Sequence, residues 1–126
     1  MIVLDTSVLV DALCGDMDSE PAVRSAVTRG EQLILPSLVL YEWLRGPRQP
    51  RELDAQESLL PSDRALPFGP DEASEAAHIY STVGRARGRE VDLAIAACAI
   101  TWNAELWTLN LADFKDIPGL RVSLPG

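Results

Sequence analysis

Met1-Ile2-Val3-Leu4, closed by Asp5, is the stretch that decides the fold. An apolar run of this length ended by a carboxylate predicts a buried strand. Residues 6–13 then carry the pattern of a helix that stops near Gly15. The chain is therefore expected to open with a strand followed by a helix, with a charged side chain where the two meet.

Strand-like and helix-like segments alternate along the rest of the chain. Further strands are predicted at residues 32–35, 65–68, 105–109 and 120–124. Helices are predicted from about 19 to 30, 37 to 46, 52 to 60, 70 to 84 and 92 to 100, with a turn or short helix at 111–114. Alternation of this kind implies parallel pairing. We expect one domain over residues 1–126, a three-layer α/β/α sandwich with a mostly parallel central sheet.

Composition indicates an ordinary globular protein. Of the 126 residues, 47% are apolar and 24% are charged, which suits one domain with one core. Cys14 and Cys98 lie in apolar helical contexts and are expected to be reduced core thiols. No stretch approaches the roughly 20 apolar residues that a membrane span needs, and no signal peptide precedes the first strand. The expected location is the cytoplasm.

Four carboxylates occupy apolar settings. Asp5 ends the first strand, Glu42 interrupts the apolar stretch 38–44, Asp92 opens the apolar helix 92–100, and Asp113 follows the strand near 106–109. An unpaired buried carboxylate costs several kcal/mol, roughly, unless it finds donors or a metal. Parallel sheets bind ligands beyond the carboxyl ends of their strands, where Asp5 and the segment 110–113 are expected to lie. A shared cation is therefore predicted.

Oxygen ligands favour Mg²⁺, with Mn²⁺ as a substitute. A zinc site is disfavoured because the chain has one histidine, His78, and two well-separated cysteines. The same scarcity argues against a histidine acid–base pair and favours a metal-activated water that attacks a phosphodiester in line. Three of the four carboxylates also have a structural explanation: Asp5 as a helix cap, Asp92 as a dipole partner, Asp113 as a turn former. Glu42 has no such explanation.

The net charge of −8 argues against a nucleic-acid partner, but the arginines are unevenly placed. Six of the ten follow Glu42 or precede Asp92: Arg45, Arg48, Arg51, Arg85, Arg87 and Arg89. Guanidinium groups bind phosphate oxygens bidentately. Arg45, Arg85, Arg87 and Arg89 are therefore candidate contacts to a substrate phosphate, with solvated helix ends as the alternative.

Four segments together resemble a known family. They are Val3-Leu4-Asp5-Thr6-Ser7, Pro36-Ser37-Leu38-Val39-Leu40-Tyr41-Glu42, Gly88-Arg89-Glu90-Val91-Asp92-Leu93-Ala94-Ile95-Ala96-Ala97 and Leu106-Trp107-Thr108-Leu109-Asn110-Leu111-Ala112-Asp113-Phe114. In this order they are similar to PIN-domain ribonucleases of the VapC type, the toxins of type II toxin–antitoxin pairs. The resemblance implies a Mg²⁺-dependent endoribonuclease, a homodimer, and silencing by a cognate VapB-type antitoxin.

The resemblance also implies roles for individual residues. Asp5 and Asp92 would be direct metal ligands, Glu42 would complete the ligand set or orient the attacking water, and Asp113 would act directly or through water. Donors that hold these carboxylates would be Thr6, Ser7, Thr108 and Asn110. The RNA is plausibly a transfer or ribosomal RNA loop, because unpaired bases can be read individually.

Two other classes stay open at this point. A phospho-receiver domain also combines a parallel sheet with an acidic Mg²⁺ pocket. Such a domain would have an adjacent acidic pair after its first strand and a lysine after its last strand, whereas here Thr6 follows Asp5 and the only lysine is Lys115. A catalytically idle PIN-type domain would be a binding module. Control by an antitoxin would place a partner arginine in the acidic pocket. The apolar surface near Trp43 and Leu44 would be its anchor, or else core or homodimer contact.

Overall fold

The computed structural model describes residues 1–126 as a four-stranded sheet with six α-helices. The sheet order is β2-β1-β3-β4 and all three pairings are parallel. The strands are β1 (Ile2–Leu4), β2 (Leu33–Ile34), β3 (Glu105–Trp107) and β4 (Val122–Ser123). The predicted fold class, a layered α/β sandwich around a parallel sheet, is confirmed.

Local signals mark the start of α4 and α5 among the six helices. They are α1 (Thr6–Leu13), α2 (Glu20–Thr28), α3 (Ser37–Arg45), α4 (Pro50–Leu59), α5 (Pro70–Thr82) and α6 (Glu90–Thr101). Two short 3₁₀ turns cover Ser62–Arg64 and Leu111–Asp113. Proline occupies the first position of α4 and of α5, where its missing N–H costs nothing. The Glu52 and Glu72 carboxylates each accept a hydrogen bond from the main-chain N–H three residues earlier.

The strand predicted at residues 65–68 is wrong. Only a single parallel bridge between Pro36 and Leu66 forms there. The Leu66 N–H donates to the Leu35 carbonyl at 2.8 Å, but Pro67 has no N–H to donate and the pairing ends. This segment therefore covers the edge of the sheet without becoming a strand.

Two predicted helix starts are also shifted. Ser37 is the first helical residue of α3 and not its cap, because Pro36 holds the N-cap position and no side chain caps the helix. Helix α6 begins at Glu90, so Asp92 lies inside its first turn. This places the Asp92 side chain at the N-terminal end of the most buried helix in the protein.

Helix α6 organises the core. Residues 93–99 are all buried, and the helix packs against α5, α3, β1 and β3. Its small alanine side chains permit such close approach on every side. None of the six helices has the length and apolarity to cross a bilayer.

Trp43 belongs to this core and not to a partner surface. Its side chain is fully buried, whereas the neighbouring Leu44 is 53% exposed. The Arg48 guanidinium lies 4.3 Å from the Trp43 ring centroid, and its Nε–H donates to the Trp43 carbonyl at 2.9 Å. The proposed anchor at Trp43 is therefore corrected to a core contact, and Arg48 is an arginine that stabilises it.

Candidate active site

The carboxyl ends of β1 and β3 lie side by side and define the site. Leu4 pairs with Trp107, and the Asp5 N–H donates to the Trp107 carbonyl at 2.9 Å. Because the strands are parallel, the next residues, Asp5 and Thr108, emerge at the same edge. The sequence prediction that Asp5 and the segment after β3 share one edge is confirmed.

Asp5 is almost fully buried and tightly held. Its Oδ1 accepts a hydrogen bond from the Thr6 N–H at 2.8 Å, which caps α1. Its Oδ2 accepts from the Ser7 hydroxyl at 3.0 Å and from the Thr108 hydroxyl at 2.8 Å. Asp5 is therefore both a helix cap and an oriented anion. A carboxylate can accept about four hydrogen bonds, so an acceptor position remains for a further ligand.

Glu42 reaches the same edge from α3, which packs against α1. The Thr6 hydroxyl donates to Glu42 Oε1 at 2.6 Å, and the Glu42 side chain is only 19% exposed. Arg45, one turn further along α3, lies 3.6 Å from Oε2. Thr6 thus links two of the acidic residues, since its N–H binds Asp5 while its hydroxyl binds Glu42.

Asp92 is the carboxylate most strongly affected by its surroundings. Burial, which is the largest cause, and the negative charges of Asp5, Asp113 and Glu42, in that order, together raise the pKa of Asp92 from 3.8 to about 6. Arg89 acts in the opposite direction, and none of these groups donates a hydrogen bond to Asp92. The fields of all four candidate carboxylates therefore overlap at Asp92, which has no donor of its own.

The turn after β3 supplies the last two candidates. Asp113 is exposed, and its main-chain carbonyl accepts a hydrogen bond from Arg89 at 2.8 Å. Asn110 contributes its main-chain N–H, which donates to the Thr108 hydroxyl at 3.0 Å. Its side chain is exposed and holds none of the four carboxylates. The hydroxyls of Thr6, Ser7 and Thr108 do bind carboxylates, so Asn110 differs from the role that the resemblance implies.

The Arg89 guanidinium is already paired within the protein. Its partner, Asp116, was not predicted from the sequence. The guanidinium donates to both carboxylate oxygens of Asp116, at 2.7 and 2.9 Å, and to the carbonyls of Gly84 and Asp113. This pairing lowers the pKa of Asp116 and raises the pKa of Arg89. Arg89 therefore does not have a free face for a substrate phosphate.

The other three candidate arginines differ from Arg89 in being exposed. Arg45 lies over the Tyr41 ring, 5.3 Å from its centroid. Arg85 and Arg87 lie on the connection between α5 and α6, and Arg85 adopts a positive φ of 56°. All three side chains are exposed to solvent, and Arg45 also lies 3.6 Å from Glu42 Oε2.

The donor set fits a hard divalent cation in its chemistry. The four side chains offer only carboxylate oxygens, the ligands that Mg²⁺ and Mn²⁺ take in proteins. A cation would also offset the mutual repulsion that raises the pKa of Asp92. In this conformation, no three acidic, histidine or cysteine side chains form a ready-made ligand group. The carboxylates therefore share an electrostatic field without yet sharing a coordination geometry.

Known proteins resemble this chain along nearly its whole length. The PIN domain family profile matches residues 2–120. A ribonuclease VapC from Rickettsia bellii is 31% identical over 131 aligned positions, covering 96% of this chain and 93% of that protein. Ribonuclease VapC19 from Mycobacterium tuberculosis is 31% identical over 129 positions, covering 96% and 98%. The crystal structure of VapBC2 from Rickettsia felis bound to a promoter DNA fragment matches the fold with a TM-score of 0.73, at 23% identity and 98% coverage of both chains.

Proposed function

This chain belongs to the PIN-domain family, and on that basis we propose that it is a VapC-type endoribonuclease toxin. In the proposal it requires Mg²⁺, for which Mn²⁺ substitutes, and a VapB-type antitoxin neutralises it. The curated relatives that share 31% identity are named ribonucleases, which supports the enzymatic class. The cytoplasm is the proposed location, and a homodimer of single-domain chains is the proposed assembly.

The convergence of four carboxylates from distant parts of the chain is the observation that carries the proposal. Three other anions act on Asp92, from the N-cap of α1, from α3 and from the turn after β3, which are far apart in sequence. Negative charge that is concentrated in this way destabilises a fold unless a bound cation neutralises it. The arrangement therefore favours an enzyme site over a merely structural group of acids.

Each side chain has a role that follows from its contacts. A bound Mg²⁺ would stabilise charge on the phosphate and lower the pKa of a water. Asp5 and Asp92 are the proposed direct ligands, because Asp5 is oriented by three donors and Asp92 has none. Thr6 holds Glu42 at Oε1, while Arg45 lies 3.6 Å from Oε2 and is exposed, and Oε2 is the atom proposed to orient the attacking water and to accept its proton. Asp113 completes the set directly or through water.

Three exposed arginines are the proposed RNA contacts. Arg45, Arg85 and Arg87 are open to solvent, and their positive charge is proposed to offset the repulsion that a net charge of −8 imposes on a polyanion. Guanidinium groups would bind backbone phosphates and bring the scissile bond to the carboxylates. A loop of transfer or ribosomal RNA is the proposed class of substrate.

Inhibition is proposed to come from an antitoxin arginine. The structural neighbour from Rickettsia felis is a complex of the VapB and VapC type, which supports such a partner here. The acidic edge around Asp92 is complementary to a guanidinium group, which would compete with the metal for the same oxygens. Such a contact explains how a toxin with a complete set of carboxylates can be silenced.

RNA cleavage by purified protein tests the proposal. Wild-type protein should cleave total RNA in Mg²⁺, lose activity in excess chelator, and regain it when Mg²⁺ or Mn²⁺ is restored. Asp5→Asn and Asp92→Asn should be inactive while their circular dichroism spectra match the wild type. Asp54→Asn is the matched control, because Asp54 is exposed and does not act on the pKa of Asp92. Cleavage that persists in chelator or in both active-site variants would refute the mechanism, and metal binding without cleavage would indicate a binding module.

A further inference from the structure

Arg89 joins three segments of the chain through one guanidinium group. Nη1 donates to the Gly84 carbonyl at 3.1 Å and to Asp116 Oδ2 at 2.9 Å. Nη2 donates to the Asp113 carbonyl at 2.8 Å and to Asp116 Oδ1 at 2.7 Å. A guanidinium has five N–H groups, four of them on the two terminal nitrogens, and here each of those four has a protein acceptor.

The segments that Arg89 joins are the ones that carry two of the candidate ligands. Arg89 is the N-cap residue of α6, and Asp92 lies in the first turn of that helix. Asp113 ends the 3₁₀ turn after β3, and its carbonyl is one of the four acceptors. The bidentate contact to Asp116 fixes the far side of the same turn, since a planar fork on a carboxylate restricts both distance and orientation.

We propose that the ion pair between Arg89 and Asp116 positions Asp113 against Asp92 and so completes the metal site. Arg89 and Asp116 are then positioning residues, which touch neither metal nor substrate. The inference rests on the proposed function and refines it, because it assigns Arg89 to the protein scaffold and removes it from the phosphate contacts. The Arg89 side chain is only 20% exposed, as suits a group that binds within the protein.

Phe114 and Ile117 provide the other support of this turn. Both are buried in the core, and they fix the depth of the turn relative to the sheet. They do not face α6 through a polar contact, whereas Arg89 connects the turn directly to the first residues of that helix. Loss of the ion pair should therefore displace Asp113 from Asp92 without unfolding the turn.

Electrostatics and positioning predict opposite results for one substitution. Arg89 is a cation beside an acidic site, and its charge opposes the effect of the acids on the pKa of Asp92. If charge alone mattered, Arg89→Gln would make the site more negative and bind a divalent cation more tightly. If Arg89 acts by positioning Asp113, the same substitution should weaken binding. The direction of the change therefore separates the two explanations.

Titration of the full-length protein with Mn²⁺ alone, followed by electron paramagnetic resonance, measures this without RNA. We expect Arg89→Gln, Arg89→Lys and Asp116→Asn each to raise the Kd for Mn²⁺ by about tenfold, the lower end for residues that support metal ligands. Arg89→Lys keeps the charge but loses the fork. Arg24→Gln is the matched control, because it breaks the exposed Arg24–Glu20 ion pair on α2 and should leave the Kd unchanged.

Each result decides the proposal. An unchanged or tighter Kd in Arg89→Gln overturns it, and so does an equal loss in Arg24→Gln. If Arg89→Gln fails to fold, Arg89→Lys decides the question, because it keeps the positive charge and loses only the bidentate contact. A wild-type protein that binds no Mn²⁺ overturns the proposed metal site itself, whereas a binding wild type with unaffected variants overturns only the positioning role.

Discussion

Replacing Asp92 by asparagine should stabilise the metal-free protein. The rise in the Asp92 pKa from 3.8 to about 6 means that folding disfavours the charged form of this carboxylate. At about 1.36 kcal/mol per pH unit, the full destabilisation is about 3 kcal/mol. Asp92 is only partly buried, so solvent screening reduces the expected gain from Asp92→Asn to about 1–2 kcal/mol. For a domain of this size, that corresponds to a rise in Tm of about 4–8 °C.

The stability that Asp92→Asn gains over the wild type should increase with pH. Between the unfolded pKa near 3.8 and the folded pKa of about 6, the native state binds more protons than the unfolded state. Wild-type stability therefore falls as the pH rises through this window, and the penalty is complete only above it. Asp92→Asn lacks this titration, so its advantage should be largest at pH 7.5 and should vanish near pH 4.

Urea unfolding in excess chelator at pH 4, 5, 6 and 7.5 measures the difference. The exposed Asp54→Asn variant controls for the loss of one negative charge from an acidic protein. Adding Mg²⁺ at pH 7.5 should reverse the order, because only the wild type gains stability from binding. The reasoning is refuted if Asp92→Asn is no more stable than the wild type at pH 7.5, or if its advantage is as large at pH 4.

Three further predictions concern the chemistry and its control. RNA products should carry 5′-phosphate and 3′-hydroxyl ends, and a 2′-deoxy substitution at the cut position should still allow cleavage; cyclic 2′,3′-phosphate ends in mass spectrometry would contradict this. Thr6→Val should slow cleavage about tenfold, because it removes the hydrogen bond that holds Glu42. Thr28→Val is the control and should not slow cleavage, because the Thr28 hydroxyl is exposed and bonds only a helix carbonyl. Purified antitoxin should block cleavage, and replacing its pocket arginine by alanine should restore cleavage without necessarily dissociating the complex; an antitoxin that binds without affecting cleavage would refute plugging of the site.

The part of the site that lies at the carboxyl edge of the sheet could be predicted from the sequence, because it depends on short-range patterns. An apolar run ended by Asp5 and a second run over residues 105–109 each indicate a strand, and parallel strands necessarily end on the same side. The structure ends the second strand two residues earlier, at Trp107. Thr6 and Ser7 follow Asp5 directly, so the proximity of the Thr6 N–H and the Ser7 hydroxyl to its carboxylate was implied by the chain itself. These parts of the site follow from local sequence plus one rule of topology.

The remaining parts depend on contacts that local sequence does not specify. Arg89 and Asp116 are 27 residues apart, and an arginine next to a glycine reads equally well as a phosphate contact. Trp43 and Leu44 are neighbours on α3, but Trp43 is buried and Leu44 is exposed. Only the packing of the helix decides which of the two is buried. The residues before Pro67 have strand-like composition, but the missing N–H of proline prevents a ladder from forming. Tertiary contacts therefore determine the pairing of Arg89 and the burial of Trp43, whereas a local property of Pro67 ends the pairing at Leu66.

An anomalous difference map from a crystal grown with Mn²⁺ tests the central claim most directly. The claim is that the carboxylates at the carboxyl edge of the sheet hold one divalent site. The account predicts an anomalous peak bonded to carboxylate oxygens of Asp5 and Asp92 at about 2.0–2.2 Å, with Glu42 and Asp113 around it. Mn²⁺ bound elsewhere in the crystal, with no peak between Asp5 and Asp92, would contradict it.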